Sequence, residues 1–531
     1  MKQVYLICNA HLDPVWQWCR DEGISAALAT FYSAAELLEK YDFVFCHNES
    51  LLYAWTEKHD PALFRRIQAL VAAGKWKIMA GWFLQPDCNL PSAESIIRHI
   101  QVGRTYFAEK FGVPANTAAA NLDSFGHSYG LPQILAKSGY TDYVCTRPME
   151  GYVDFPRDFV WEGVDGSRVR VLKVFSYNSE MGEALDKIKG CIAKSESDAV
   201  PVFWGIGNHG GGPSRKDLED VADFAAAREH TVVYDLPERY FAEYVPELPV
   251  VKGGLQPCFP GCYISQIEVK QAHRALESAL YLTEKVFCFA ESYGISYPQE
   301  ELQKIQQILL FSEFHDTLAG ATVRPAQEEA LRSLHAGIEL ARRLQTDAML
   351  AMCLAERGED PGTYPLFLCN PHPYPVETAI EVPLMLSVKR LEGFGRLRVF
   401  QGEKELAAQN IKEDSNIPLD WAKKVLFWAV LPPCSLERFV LREEILPERP
   451  KLVQPEKFVF TNGHRRIEFG ADGRVKSLRA GDRELIGPGG GFYPVAFEDN
   501  EDPWGMQKYQ HRRLAGKGEA FLPASPAEVL A

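Results

Sequence analysis

Long apolar runs are missing from this 531-residue chain. Its apolar stretches are short and broken by polar residues, well under the ~20 residues that span a bilayer, which excludes a transmembrane helix. No secretory leader is expected. The start, MKQVYLICNAHLDP, carries one Lys and a brief apolar stretch, and a candidate site begins inside it at His11. Basic residues are in the minority: 57 Lys and Arg against 71 Asp and Glu, a net charge of −14. Nucleic-acid binding needs a basic stripe to neutralise phosphates, and an acidic surface is repelled by anionic membranes. A neutral or cationic small molecule, or a sugar, is the expected partner. No Rossmann GxGxxG opens the chain, and it has no internal repeat or low-complexity tract.

The 12 cysteines lack a framework. Most lie inside apolar runs such as YLICN, FVFCH, DYVCT and LFLCN, which is how buried free thiols read. Only Cys258 and Cys262 are close, and a lone CxxxC is weak evidence for a metal. A reducing cytoplasm is expected.

What is present is ordinary globular material: 46% hydrophobic and 24% charged residues. Such a chain can bury several cores, and its length suggests about three to four domains. Up to about residue 240, β-rich runs (4–8, 43–47, 76–81, 117–122, 143–146, 169–175, 201–206) alternate with amphipathic helices (24–41, 61–73, 92–111, 214–228). This alternation predicts parallel strands with crossover helices, and the count predicts a seven- or eight-stranded β/α barrel over 1–255. Ligands then meet at the C-terminal strand ends. Helical periodicity at 264–293, 298–319 and 324–355 predicts a three-helix bundle over 256–358. Short turn-punctuated strands over 359–531 predict an incomplete antiparallel β-sandwich region.

Three constellations carry chemistry. His11 and Asp13 close the first strand, where residues two apart share a face; the plain alternative is a polar strand end. Asp123, in NLDSFGHS, follows a strand and can ligate a metal, attack an electrophile or cap the next turn. His315-Asp316 sits in FSEFHDTLAG on an apolar helix, where a hydrogen-bonded core His is the alternative. Two His and two Asp make a four-ligand set suited to zinc, with cobalt also accommodated. A rival reading is the GxSxG at Gly126–Gly130, with Ser128 as nucleophile and an HGGG run from His209. The order opposes it, because in serine hydrolases the HGGG loop precedes the nucleophile.

At these residues the sequence resembles glycoside hydrolase family 38, the class II α-mannosidases. AHLDPVW (10–16), NLDSFGHS (121–128) and FHDTLAG (314–320) carry the resemblance. AGWFLQPDCNLPSAESIIR (80–98), GNHGGGPS (207–214), PGCYISQIEVKQAHRALESAL (260–280) and FLCNPHPYP (367–375) extend it across about residues 3–500. The resemblance implies a zinc-dependent retaining exo-α-mannosidase acting on terminal α-mannosides of oligosaccharides. It implies His11, Asp13, Asp123 and His315 as zinc ligands and Asp123 as nucleophile. It implies Trp16 as the floor beneath the sugar, Phe125 as a second wall, and Asp316 and Asp87 as sugar contacts. Arg147 would orient carboxylates. The acid/base departs from the pattern. Well-characterised branches place an Asp in the loop after the seventh strand, where this chain reads Gly207-Asn208-His209-Gly210, so His209 is the donor expected in that loop. The chain is also shorter than typical members, as a bacterial-type, C-terminally truncated one would be. A zinc-dependent carbohydrate deacetylase and an inactive sugar-binding remnant are the competing readings. A homo-oligomer is left open.

Overall fold

The computed structural model describes residues 1–148, 155–244, 246–356, 363–386, 393–414, 421–448, 458–470, 473–488, 490–492, 495–497, 503–504 and 514–517. The chain divides into two compact units. The first holds Met1–Leu280, Gln299–Ala341 and Asn500–Lys508; the second holds Tyr281–Pro298, Arg342–Asp499 and Tyr509–Ala531.

Among the described residues the first unit contains ten strands: β1 (Gln3–Asn9), β2 (Phe45–Glu49), β3 (Trp76–Trp82), β4 (Ala118–Ala120), β5 (Asp142–Cys145), β6 (Asp158–Glu162), β7 (Arg168–Lys173), β8 (Ala199–Trp204), β9 (Thr231–Tyr234) and β10 (Val250–Lys252). β1 is parallel to β2, β8 and β9, and β2 is parallel to β3. The second sheet runs β10-β6-β7-β5-β4, parallel except for the β6–β7 pair. The alternation therefore gave parallel strands as expected. Among the described residues the hydrogen-bonded ladder forms two five-stranded sheets, with no continuous ring.

Capping chemistry sets the helices between the strands. Asp60 accepts from Leu63 N with Pro61 in the first turn, and Ser92 and Ser214 accept from Ser95 N and Asp217 N. Gly112 ends the helix Ala93–Phe111 in the left-handed conformation. These helices and Arg20–Lys40, which carries Phe31, bury Phe31, Phe64, Ile67 and Phe107 against the sheet, whose strands β1, β2 and β8 are buried along almost their whole length.

Three long helices follow: Ile267–Ala290, Gln299–Ser312 and Arg324–Glu356. They meet in the first unit where Gly337 faces Leu276 and Ile308. The second helix was expected to run to 319. It ends at Ser312, and Phe314 (ψ 137°) starts a separate short helix, His315–Ala319. The Glu313 side chain bonds His99 and His273 while its carbonyl accepts Asp87 N, and these tertiary bonds override the helical period.

In the second unit, two antiparallel sheets enclose Leu397, Val399, Val425, Phe427, Phe439 and Leu441. Ala422–Leu431 alternates buried and outward residues, as its period-two pattern predicts. A meander from Val459 to Glu484 follows, and most of the weakly patterned tail lies outside the described residues. No helix among the described residues is long and apolar enough to cross a membrane.

Candidate active site

The predicted site residues before 256 lie just beyond the C-terminal ends of strands in the first unit. β1 was expected to reach His11 but stops at Asn9. An isolated bridge of Leu12 to Asn208 keeps the next residues extended, with Asn208 N donating to His11 O (2.5 Å) and Asp13 N to Asn208 O (2.9 Å). Leu12 turns into the core, so His11 and Asp13 share the opposite face.

On that face the four ligand candidates converge. His11 Nε2 lies 3.0 Å from Asp13 Oδ1, and His315 Nε2 lies 3.7 Å from the same oxygen. His11, Asp123 and His315 offer atoms within 4.8 Å of one another, as do Asp13, His315 and Asp316. His11 Nε2, Asp13 Oδ1 and His315 Nε2 are buried and have no hydrogen-bond partner. Three buried polar atoms without a hydrogen-bond partner, gathered in one place, fit a cation, and a two-nitrogen, two-carboxylate donor set suits zinc. His315 Nδ1 is 2.9 Å from the Gln85 carbonyl, which fixes the proton there and leaves Nε2 as a bare lone pair.

Asp123 is held as a carboxylate. Arg147 Nε donates to Oδ1 (2.6 Å) and Tyr177 Oη to Oδ2 (2.8 Å). Burial pushes its pKa up, but Arg147, then His11 and His315, outweigh it and hold the group below the usual carboxylate range. Burial likewise disfavours a charged His11, yet Asp13 and the further carboxylates Asp123 and Glu49 lift it to about 9. Asp316 is pushed well up by burial and by the nearby Asp13 and Asp123.

The remaining predicted residues separate. Trp16 is half-buried, its ring meeting those of Trp18 at 5.8 Å and Trp504 at 6.2 Å. Phe125 is wholly buried beneath Phe259 (5.3 Å) and Trp504 (5.1 Å). Asp87 is buried with both oxygens engaged: Oδ1 by Asn89 N and Leu90 N, Oδ2 by Tyr263 Oη. It anchors its own turn. His209 is exposed, pairs with Glu22 (2.8 Å) and lies edge-on to Trp18. The GxSxG histidine, His127, bonds Tyr143; among the described residues no histidine hydrogen-bonds Ser128. Cys258 and Cys262 are free thiols in one apolar cluster with Phe125 and Ala319.

Sequence reasoning missed Gln85, Glu49, Tyr177 and Trp504. Gln85 Nε2 meets His11 Nδ1 (2.9 Å), its Oε1 accepts Leu122 N (2.7 Å), and its own N–H donates to Glu49 Oε1 (2.9 Å). One glutamine thereby ties together the segments carrying His11, Asp123 and His315. Its signal was a polar residue following the otherwise apolar run GWFL.

Two family models match this arrangement. One, described as the glycosyl hydrolases family 38 N-terminal domain, covers residues 1–253; the other, the alpha mannosidase middle domain, covers 258–352. The chain belongs to glycosyl hydrolase family 38. Among its relatives, human alpha-mannosidase 2C1 is 25% identical over 530 residues, 94% of this chain and 47% of that protein. Alpha-mannosidase G of Dictyostelium discoideum is 26% identical over 343 residues, 62% of this chain and 31% of the relative. An alpha-mannosidase from Enterococcus faecalis V583 has the same fold, with a TM-score of 0.74 at 18% identity, over 90% of this chain and 60% of that one. The chain thus spans about half the length, or less, of these curated relatives.

Proposed function

We propose that the chain is a zinc-dependent, retaining exo-α-mannosidase that removes terminal α-mannosyl groups through a covalent mannosyl-Asp123 intermediate. The observation that carries this reading is the convergence of His11, Asp13, Asp123 and His315, with three buried polar atoms left unpartnered. The named relatives, all alpha-mannosidases, support the choice of sugar. We read the two sheets as the halves of one β/α barrel, and the three long helices as a bundle that brings His315 to it.

Those four residues would hold the zinc, which when bound supplies a positive charge that orients vicinal sugar hydroxyls. The chain's own groups do the rest. Arg147 and Tyr177 fix both oxygens of Asp123, keeping it ionised and aimed for attack at the anomeric carbon. Trp16 supplies an apolar face for the sugar ring, with Phe125 backing the opposite wall from beneath Trp504. Asp316, buried beside His315, accepts from sugar hydroxyls.

The test is hydrolysis of a chromogenic α-mannoside by the full chain before chelation, after it, and after zinc is returned. Loss and recovery of activity, together with labelling of Asp123 by a 2-deoxy-2-fluoro mannosyl fluoride, are the expected results. Unlabelled Asp123 alongside zinc-dependent release of acetate from acetylated sugars would replace this reading with a deacetylase.

A further inference from the structure

A retaining glycosidase carries a second carboxyl group about 5–5.5 Å from its nucleophile, to protonate the departing oxygen. Tyr177 Oη lies 2.8 Å from Asp123 Oδ2 and 3.1 Å from Asn208 Oδ1. Laid end to end, these bonds keep the Asn208 oxygen within about 6 Å of Asp123 Oδ2, an upper limit that admits the roughly 5–5.5 Å the mechanism asks for. The position is firmly built. Asn208 is held by backbone bonds to His11 and Asp13, and its φ of +67° is one that Asn and Asp adopt more readily than other side chains.

Among the described residues, no carboxyl other than Asp123 itself bonds Tyr177 Oη at this place. His209 turns outward to Glu22. Asp13 faces the two ligand histidines, Asp316 lies 3.5 Å from His315 Nε2, and Glu49 accepts from Gln85 N. The place that geometry gives to the acid therefore holds an amide, and an amide has no proton to transfer near neutral pH.

Resting on the mannosidase reading, we infer that this chain is suited to α-mannosides whose leaving group departs as a stabilised anion. Glycosyl phosphates, acyl glycosides and aryl glycosides share that chemistry; the alcohol leaving groups of ordinary oligosaccharides do not. In the first step an Asp123 oxygen bonds to C1 while the bond from C1 to the leaving oxygen breaks. The electron pair departs on that oxygen and no proton moves. In the second, water adds to C1, the Asp123 ester bond breaks, and the proton of the water passes to solvent.

The experiment measures kcat/KM of the zinc-loaded full chain and of Asn208→Asp. The substrates are 2,4-dinitrophenyl, 4-nitrophenyl, phenyl and methyl α-mannosides, and α-mannose 1-phosphate. The wild type is expected to lose activity steeply as the leaving group becomes less acidic, with methyl mannoside at background. Cleavage of the 1-phosphate as well as the aryl series points to a phosphate leaving group, and cleavage of the aryl series alone to an acyl or phenolic one. Asn208→Asp conserves shape and backbone preference. It is expected to raise methyl mannoside hydrolysis about 100-fold while barely changing the dinitrophenyl rate. A wild type that cleaves methyl mannoside within about tenfold of the aryl substrates overturns the inference alone, because some other group is then donating. So does an Asn208→Asp variant that binds zinc and gains nothing. A zinc-loaded wild type that is inert on every substrate and leaves Asp123 unlabelled removes the mannosidase reading as well.

Discussion

Gln85 does most to orient the ligand side chains, although it is not itself a ligand candidate. It touches the His11 ring through its amide and the His315 ring through its carbonyl. Partners of this kind typically alter metal affinity by about 10- to 100-fold. Gln85→Leu should keep the fold yet lose zinc affinity in that range, as read by competition with a chromogenic chelator; unchanged affinity would reduce Gln85 to a packing residue. Trp504 is the other residue to probe. Its ring lies 5.1 Å from that of Phe125 and 6.2 Å from that of Trp16, the residue proposed above to meet the sugar ring. Trp504→Ala should raise KM about five- to tenfold with a smaller change in kcat, and Trp504→Phe should recover most of the loss. A rise in kcat/KM for the alanine variant would instead make Trp504 a plug. Neither residue was legible beforehand. Gln85 acts through contacts between distant loops, and Trp504 lies nearly 380 positions from Phe125 in a weakly patterned tail. His11, Asp13, Asp123 and His315 were legible, because each sits in a compact motif at an element's end.

At the level of elements, strand periodicity carried most of the fold. All seven strands expected before residue 206 are present, and so are the crossover helices. The strands that escaped notice have weaker patterns. β6 reads DFVWE, half-buried and acidic at both ends, and it pairs antiparallel to β7 through a turn at Asp165-Gly166. β9 and β10 are short and incompletely buried. The break after Ser312 was hidden for a different reason, since FSEFHDTLAG has no Gly or Pro where the helix stops. Element packing also reaches the site through Gly23, near the start of the helix Arg20–Lys40. A Cβ there would lie 2.0 Å from the Pro14 carbonyl oxygen. Gly23→Ala must push the His11–Pro14 segment or the helix aside, an overpacking cost of about 1–3 kcal/mol. The expected result is a lower unfolding midpoint in urea together with weakened zinc binding. Weakened stability with intact zinc binding would show that the helix yields and the ligand loop does not.

Stability of the whole molecule should fall in mild acid, and two buried histidines outside the ligand set give the reason. Burial lowers His47 to about 3, helped by repulsion from His11, and burial lowers His127 to about 3 as well. Both histidines are packed among aromatic rings: His47 against Phe31 and Tyr53, and His127 against Tyr143 and Trp161. In the unfolded chain each takes up a proton near pH 6.5, while the folded chain resists protonation until about 3. The unfolded state therefore binds more protons throughout that window. Stability is complete above pH 6.5 and drains away as pH falls toward 3, by roughly 3–5 kcal/mol for each fully buried ring. His127→Asn tests this, because its amide oxygen can still accept from Tyr143 Oη but cannot titrate. Urea unfolding of zinc-free wild type and variant at pH 7, 6, 5 and 4 isolates the effect, since acid loss of metal is then common to neither. The variant should start less stable at pH 7 and decline less steeply, so that the two curves converge or cross near pH 4. Parallel curves would mean that His127 takes up its proton at the same pH in the folded as in the unfolded chain, and that the acid sensitivity arises elsewhere.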